Sequence, residues 1–445
     1  MSRERLGSRI GFLMLSAGSA IGCGNVWKFP WLTGENGGGL FVLIYLALAA
    51  LIGLPAMCME ISLGRAAQAS PVKMYDALQK PGQKWNIHGY ACLAANICVS
   101  AFYSVVCGWI IYYFICFALG RYAGLSFKGM IADPLVNVLY MAAAVAVTFF
   151  ILSFNLKSGL ERVSKFLMLA LFALMVFLAV RCSMFRGAVE GLKFYLVPDF
   201  SKLTWSVVPA AANQAFFSLS VGFGIVALFG SYIDRGRSIL GEAWTIVLLD
   251  SLAAILAGLI IFPTCFAHGV DVGAGPGLLF DTMADAFRNM QGGRILGSLF
   301  FLFMVFAALT SLLSICETIL GCVRELTGWG RKKGSAVCGA GVALLSLTTA
   351  LGYSLWQFRP FGEGSSWLDL WDFSVTNVLF PLGALVIALF CTNMRFGWGW
   401  DNFVREANAG EGMKVKGWMK PVFCFVTPAS ILLLFIIGMA TFKWH

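Results

Sequence analysis

The chain has 445 residues, of which 59% are apolar and only 12% carry charge. That composition excludes an ordinary soluble domain and describes a polytopic helical membrane protein. The net charge of +10 invites a nucleic-acid partner, but 21 of the 32 Lys and Arg fall in alternate inter-span segments, 10 fall in the others, and Lys28 sits within a span. By the positive-inside rule this bias puts the N-terminal tail, with Arg3, Arg5 and Arg9, in the cytoplasm. No nucleic acid is expected; the partner implied is the lipid bilayer.

Hydropathy, broken at charge and turn clusters, predicts eleven spans. They lie near 10–30, 39–64, 88–120, 135–155, 160–181, 206–232, 239–263, 293–322, 335–355, 371–393 and 418–441. An odd number leaves the C-terminus outside. The reading is one all-α membrane domain over 1–445. The first span has no small-x-small cleavage site and is not read as a signal peptide.

Residues 16–30, S-A-G-S-A-I-G-C-G-N-V-W-K-F-P, interrupt span 1 in mid-membrane. Glycine lowers the cost of unwinding, and unwinding frees backbone groups that hydrocarbon cannot satisfy. Such a break lines a cavity or binds something: freed carbonyls suit a cation, N–H groups at a half-helix N-terminus an anion. The alternative is a glycine face that lets helices approach closely. Span 2 carries Glu60, costly in a membrane unless paired, and either functional or a helix-capping group. In span 3, Phe102 and Tyr103 precede Gly108 and Trp109; spacing alone favours aromatic packing. Spans 4 and 5 offer no chemistry.

Span 6 repeats the logic of span 1, with Asn213, Gln214, Ser218, Ser220, Gly222 and Gly224 among apolar residues. Interruptions at the start of two successive sets of five spans point to an inverted-repeat secondary transporter. The repeats are placed at about 10–181 and 206–393, with the span near 418–441 as an addition. Span 7 holds one isolated carboxylate, Asp250, expensive unless a cation offsets it. The loop 264–292, with Gly273, Gly275, Pro276 and Gly277, either caps an outer vestibule or is a plain connection. In span 8, Thr310 and Ser311 offer hydroxyls to a hard cation or back-bond to their own helix. Asp369 and Asp372 stand at the outer mouth of span 10.

Enzyme signatures are missing. The thirteen cysteines fall mostly in spans, and no disulfide is expected between Cys182 and Cys265, which approach the outer face. The three histidines lack zinc spacing, there is no phosphate-binding loop, and G-C-G-N-V-W lacks the third glycine of a dinucleotide fingerprint. No organic cofactor and no enzymatic activity are predicted.

The runs G-S-A-I-G-C-G-N-V-W-K-F-P with E-N-G-G-G, F-F-S-L-S-V-G-F-G and A-A-L-T-S resemble spans 1, 6 and 8 of the neurotransmitter:sodium symporters. The likeness covers essentially the whole chain, and eleven spans resemble a common bacterial variant. It implies two sodium sites. One would use the Ala20 carbonyl, Asn25, Ser218, Asp250 and the substrate carboxylate; the other, carbonyls of Gly18, Ile21 and Ala307 with Thr310 and Ser311. Substrate contacts would come from Ser19, Ala20, Gly22, Cys23, Gly24, Val99, Tyr103, Phe217, Ser218, Ser220, Phe223, Ser311 and Ile315. Phe217 would be the outer lid and Tyr103 its hydrogen-bonding partner over the substrate. Lys28 with Asp372 would form the outer gate, and Arg3, Glu325 and Tyr232 would belong to the inner one.

This chain departs from the family pattern in several places. Lys28 replaces the usual arginine of the outer gate and loses its bidentate fork. Leu6 and Glu325 stand for the usual inner-gate tryptophan and aspartate, and Asp250 for a frequent asparagine. Monoamine carriers of the family have an aspartate at the position of Gly22, so this chain's substrate is expected to bring its own carboxylate. Eukaryotic members bind chloride with a tyrosine, a glutamine, hydroxyl residues and the span-7 asparagine. Here Tyr45, Gln214 and Ser218 match, but Ala254 lacks the hydroxyl and Asp250 carries charge. The expectation is a chloride-independent, sodium-coupled importer of apolar or aromatic amino acids in a prokaryotic inner membrane. Two rivals stand beside it: a proton-coupled carrier with Asp250 as proton carrier, and a non-transporting receptor or channel. Oligomeric state is not legible.

Overall fold

The computed structural model describes residues 4–270, 272 and 278–442, and among them the fold is entirely helical, with one isolated β-bridge between Arg237 and Glu411. Among the described residues, eight helices are long and apolar enough to cross a bilayer: Gly39–Ala67, Asn86–Ala118, Pro134–Leu152, Lys157–Ser183, Ile239–His268, Gly293–Thr327, Trp367–Thr392 and Gly417–Ala440. The pair Arg9–Ala20 and Gly24–Glu35, bent by 51° at a short break, makes a ninth. Two predicted spans fall outside that count. Span 6 is cut into Val207–Ser218 and Ile225–Gly230, each too short to cross alone. Span 9, Arg331–Ala350, spends its first turn on three basic residues.

Several predicted ends are corrected. Span 1 continues past 30 to Glu35, because Pro30 occupies the first turn of a new helical segment, where its missing N–H costs nothing. Span 8 runs to Thr327 and stops where Gly328 adopts φ +72°. Span 9 starts at Arg331, earlier than hydropathy implies, since the Arg331 guanidinium is buried against Glu317 at 2.5 Å. It also ends at Ala350, short of 355.

Spans 3 and 8 pack along each other at the centre; their apolar windows are 72% and 78% buried, whereas the last span is 22% buried and lies at the rim. Close approach is built in where span 2 meets the inner half of span 6. A Cβ on Gly64 would run into the Ala227 carbonyl. Cys182 and Cys265 are both buried and form no disulfide; the Cys265 sulfur lies 4.0 Å from that of Met283. Arg3 and the stretch from Gly273 through Gly277 lie outside the described residues.

Candidate functional site at two helix breaks

Both predicted interruptions are real breaks, and they face each other. Span 1 ends its first helix at Ala20 and resumes at Gly24. Span 6 ends at Ser218, and its loop bends through Ser220 at φ +53°, Gly222 at +110° and Gly224 at +87°. A serine in the left-handed region is strained, whereas the two glycines adopt it without penalty.

Backbone groups released at this depth need partners, and side chains from other spans supply them. The Glu60 carboxylate accepts from the backbone N–H groups of Gly222 at 2.7 Å and Gly224 at 2.9 Å. Asn96 Nδ2 donates to the Phe223 carbonyl at 2.8 Å. Gln214 Nε2 donates to the Gly24 carbonyl at 2.8 Å, and the Tyr103 hydroxyl accepts from Cys23 N–H at 3.2 Å. Ser220 Oγ donates across to the Ser19 carbonyl at 3.0 Å, tying the breaks together. Of the two readings of Glu60, the structure supports the cap: it holds the span-6 break in shape.

Replacing Glu60 by leucine leaves two buried N–H groups unsatisfied, at about 1–3 kcal/mol each. We expect Glu60→Leu to lower the apparent Tm in detergent by several degrees, with Glu60→Gln in between. A Glu60→Leu protein melting with the wild type would show that the loop holds itself.

The breaks enclose a cavity lined by twelve residues expected from the sequence: Ser19, Ala20, Gly22, Cys23, Gly24, Val99, Tyr103, Phe217, Ser220, Phe223, Ser311 and Ile315. Ser218 is not among them. Its hydroxyl donates to Asp250 Oδ2 at 2.7 Å. Four further residues line the cavity without having been singled out for it: Phe102, Ile225, Val375 and Phe380. Phe380 stacks on Phe223 with ring centroids 4.0 Å apart and planes 9° apart. Ser374, Thr376 and Asn377 interrupt span 10 just before it, but only the packing of span 10 against the span-6 loop shows that the Phe380 ring reaches the cavity. Gly22 has no room for a side chain, because a Cβ there would strike Ser311 Oγ and the Tyr103 hydroxyl.

Beside the cavity lies a polar cluster. The buried Asp250 carboxylate accepts from Asn25 Nδ2 at 2.8 Å, Ser218 Oγ at 2.7 Å and the Tyr45 hydroxyl at 3.1 Å. Asn25 also donates to the Asp250 backbone carbonyl at 2.9 Å. Thus spans 1, 2, 6 and 7 meet at one carboxylate. On the other side, Ser311 Oγ lies 3.2 Å from the Gly18 carbonyl and 3.5 Å from that of Ile21. Thr310 Oγ1 lies 3.0 Å from the Ala307 carbonyl. On this second side every atom named is an oxygen, the set that suits a hard cation over a soft metal.

Toward the outer side, the expected Lys28–Asp372 ion pair is not formed. Lys28 Nζ sits over the Phe217 ring, 4.2 Å from its centroid, and Asp372 Oδ1 accepts from Thr376 Oγ1 at 2.9 Å. An ammonium has no fork to hold a carboxylate in two places, and a ring face attracts it. On the inner side, Tyr232 donates to Glu317 at 2.9 Å, and Glu317 is paired with Arg331. Glu325 accepts from the Ser70 backbone at 3.0 Å and hydroxyl at 2.6 Å. The N-terminal tail is tied down by Leu6 N–H to the Tyr232 carbonyl at 3.1 Å and Gly7 N–H to Glu161 at 2.7 Å. Glu4 lies between Arg324 at 3.4 Å and Arg331 at 3.3 Å. This charge chain, built by Glu4, Glu317 and Arg331, has no signal in local sequence because Glu4 lies hundreds of residues from the other two.

Known proteins resemble this chain in sequence and in fold. The chain is 34% identical to MhsT, whose crystal structure holds L-phenylalanine, with a TM-score of 0.87 over 98% of this chain and 100% of that one. It is 37% identical over 391 residues to the uncharacterized sodium-dependent transporter YhdH of Bacillus subtilis (strain 168), covering 86% of each. It is 25% identical over 523 residues to the sodium-dependent nutrient amino acid transporter 1 of Drosophila melanogaster, covering 99% of this chain and 78% of that protein. A family model, the sodium:neurotransmitter symporter family, matches residues 3–122 and 119–445. With two broken spans meeting at a cavity flanked by buried oxygen atoms, the chain belongs to the sodium:neurotransmitter symporter family and is a sodium-dependent, multi-pass membrane transporter.

Proposed function

We propose that the chain imports an apolar or aromatic α-amino acid together with sodium, by alternating access around the cavity between the two breaks. The observation that carries this reading is Gly22. A Cβ at Gly22 would strike Ser311 Oγ and the Tyr103 hydroxyl, so the break carries no carboxylate of its own; Asp250 supplies one negative charge at Asn25, and on the cavity side the place of an anionic ligand is left to the substrate's carboxylate. Val99, Phe217, Phe223, Ile315 and Phe380 make the rest of the lining apolar and aromatic, and the phenylalanine bound to MhsT supports the same class.

Sodium is cargo here. One ion would be held by the Ala20 carbonyl, Asn25, Ser218, Asp250 and the substrate carboxylate. The second would be held by carbonyls of Gly18, Ile21 and Ala307 with Thr310 and Ser311. Each charge moving inward across about 100 mV contributes roughly 2 kcal/mol to uptake. Phe217 and Lys28 would close the outer side, with Asp372 available to Lys28 as the gate moves. Tyr232, Glu325 and Arg3 would close the inner one. The two sets of five spans form the inverted repeats of a single domain, the last span is an addition, and the Lys/Arg bias orients the N-terminus to the cytoplasm of an inner membrane. No organic cofactor takes part.

The test is binding of phenylalanine and of phenethylamine to purified protein, with sodium and with potassium. Sodium-dependent binding of the amino acid is expected, with the amine weaker by at least about 100-fold, some 2.7 kcal/mol. Equal affinity for the two would remove the carboxylate from the first sodium site and with it this reading.

A further inference from the structure

A second cavity, of 320 Å³, opens on the membrane face between the start of span 3 and span 10. Its walls are mostly apolar, from Ala91 and Ala95 on one side to Leu382 and Val386 on the other, with His88, held by the Tyr75 hydroxyl at 2.7 Å, also lining it; Lys84 and Trp85 stand at its mouth. Ile87 beside it is 64% exposed, as expected of a side chain that faces lipid. The crevice climbs from Trp85 to Ala95, about 15 Å at 1.5 Å per helical residue. That is the depth of one leaflet, half of a hydrocarbon core about 30 Å thick.

Its mouth is basic, with Lys84 among its lining residues. Lys84 is exposed and enters no ion pair among the described residues. Lys80 Nζ is spent on the carbonyls of Met394 and Arg395. Trp85 Nε1 donates to the Phe396 carbonyl at 2.5 Å, placing an indole where the apolar core meets water. The inner end reaches Gly222 in the span-6 break, where a Cβ on Gly383 would strike the Gly222 carbonyl.

We propose that this crevice holds one acyl chain of an anionic phospholipid from the leaflet on the N-terminal side, with its headgroup on Lys84. Depth, apolar walls and an unpaired cation at the headgroup level fit such a lipid. The chain end then rests against the span-6 hinge and span 10, two elements that also line the central cavity. This inference needs only that the chain spans a membrane, and stands apart from the choice of transported substrate.

The experiment uses the full-length protein in liposomes containing phosphatidylglycerol or phosphatidylcholine with a diazirine near the chain end, and maps the labelled peptides. Phosphatidylglycerol is expected to label the segments 86–98 and 379–390 several-fold above the lipid-facing segment 135–150, and above phosphatidylcholine. Ala91→Trp and Leu382→Trp, which fill the crevice from opposite walls, should each reduce that labelling to the level of 135–150. Lys84→Glu should abolish the preference between the two lipids while leaving chain labelling in place. Equal labelling by both lipids in the wild type would overturn the headgroup assignment. Labelling unchanged in both tryptophan variants would overturn the crevice itself. Sodium-dependent amino-acid binding, measured on the same samples, reports folding and separates failure of this proposal from failure of the transport reading.

Discussion

Removing both hydroxyls at Thr310 and Ser311, by the double alanine substitution, is expected to abolish sodium-dependent substrate binding. Ser311 Oγ already lies within 3.5 Å of the carbonyls of Gly18 and Ile21, and Thr310 Oγ1 within 3.0 Å of that of Ala307. These oxygens belong to spans 1 and 8, so an ion among them would hold the broken span against the central helix. Without the hydroxyls, three neutral carbonyls remain, too few for a hard cation that prefers about six oxygens. Sodium affinity should fall by at least about 100-fold, roughly 2.7 kcal/mol. Substrate binding should fall with it, because linkage between two ligands is reciprocal. Titrating sodium against phenylalanine binding measures both. Unchanged sodium affinity in the double variant would move the ion elsewhere. Wild-type thermal stability without sodium would confirm that the loss is one of binding and not of folding.

Transport by the wild type is expected to proceed without chloride, and Asp250 is the reason. Its carboxylate is buried and receives hydrogen bonds from Asn25, Ser218 and Tyr45, a cradle of donors of the kind that would otherwise surround a bound anion. A fixed negative charge offsets a sodium ion in surroundings where an unbalanced charge is costly. Ala254, one turn along span 7, offers no hydroxyl to complete an anion site. Uptake in gluconate should therefore stay within about twofold of uptake in chloride, a difference well under 1.4 kcal/mol. In Asp250→Asn with Ala254→Ser, uptake in gluconate should drop at least about tenfold and recover in chloride. Strong chloride dependence of the wild type would overturn the proposal. A sodium-independent, pH-driven uptake lost in Asp250→Asn would favour the proton-coupled rival.

Class and the position of both breaks were legible in the order of residues alone. Long apolar runs can satisfy their backbone in a bilayer only as helices, so each run announces a span. A glycine–serine–amide cluster inside such a run announces the place where the helix stops. Both clusters do so, at Ala20 and Ser218. Folding had to decide what reaches across. Glu60 is read from sequence as either functional or capping, and only its 2.7 and 2.9 Å contacts with the span-6 loop choose. Lys28 is expected on Asp372 and is found over Phe217, because an ammonium's partner depends on which acceptor lies nearest in space. Phe380 and Val375 line the cavity from span 10, and only the packing of that span against the span-6 loop puts them there. Periodicity and composition report how each segment meets its solvent. Distances between segments hundreds of residues apart are set by helix packing, where a single glycine such as Gly64 or Gly383 fixes how closely two backbones approach.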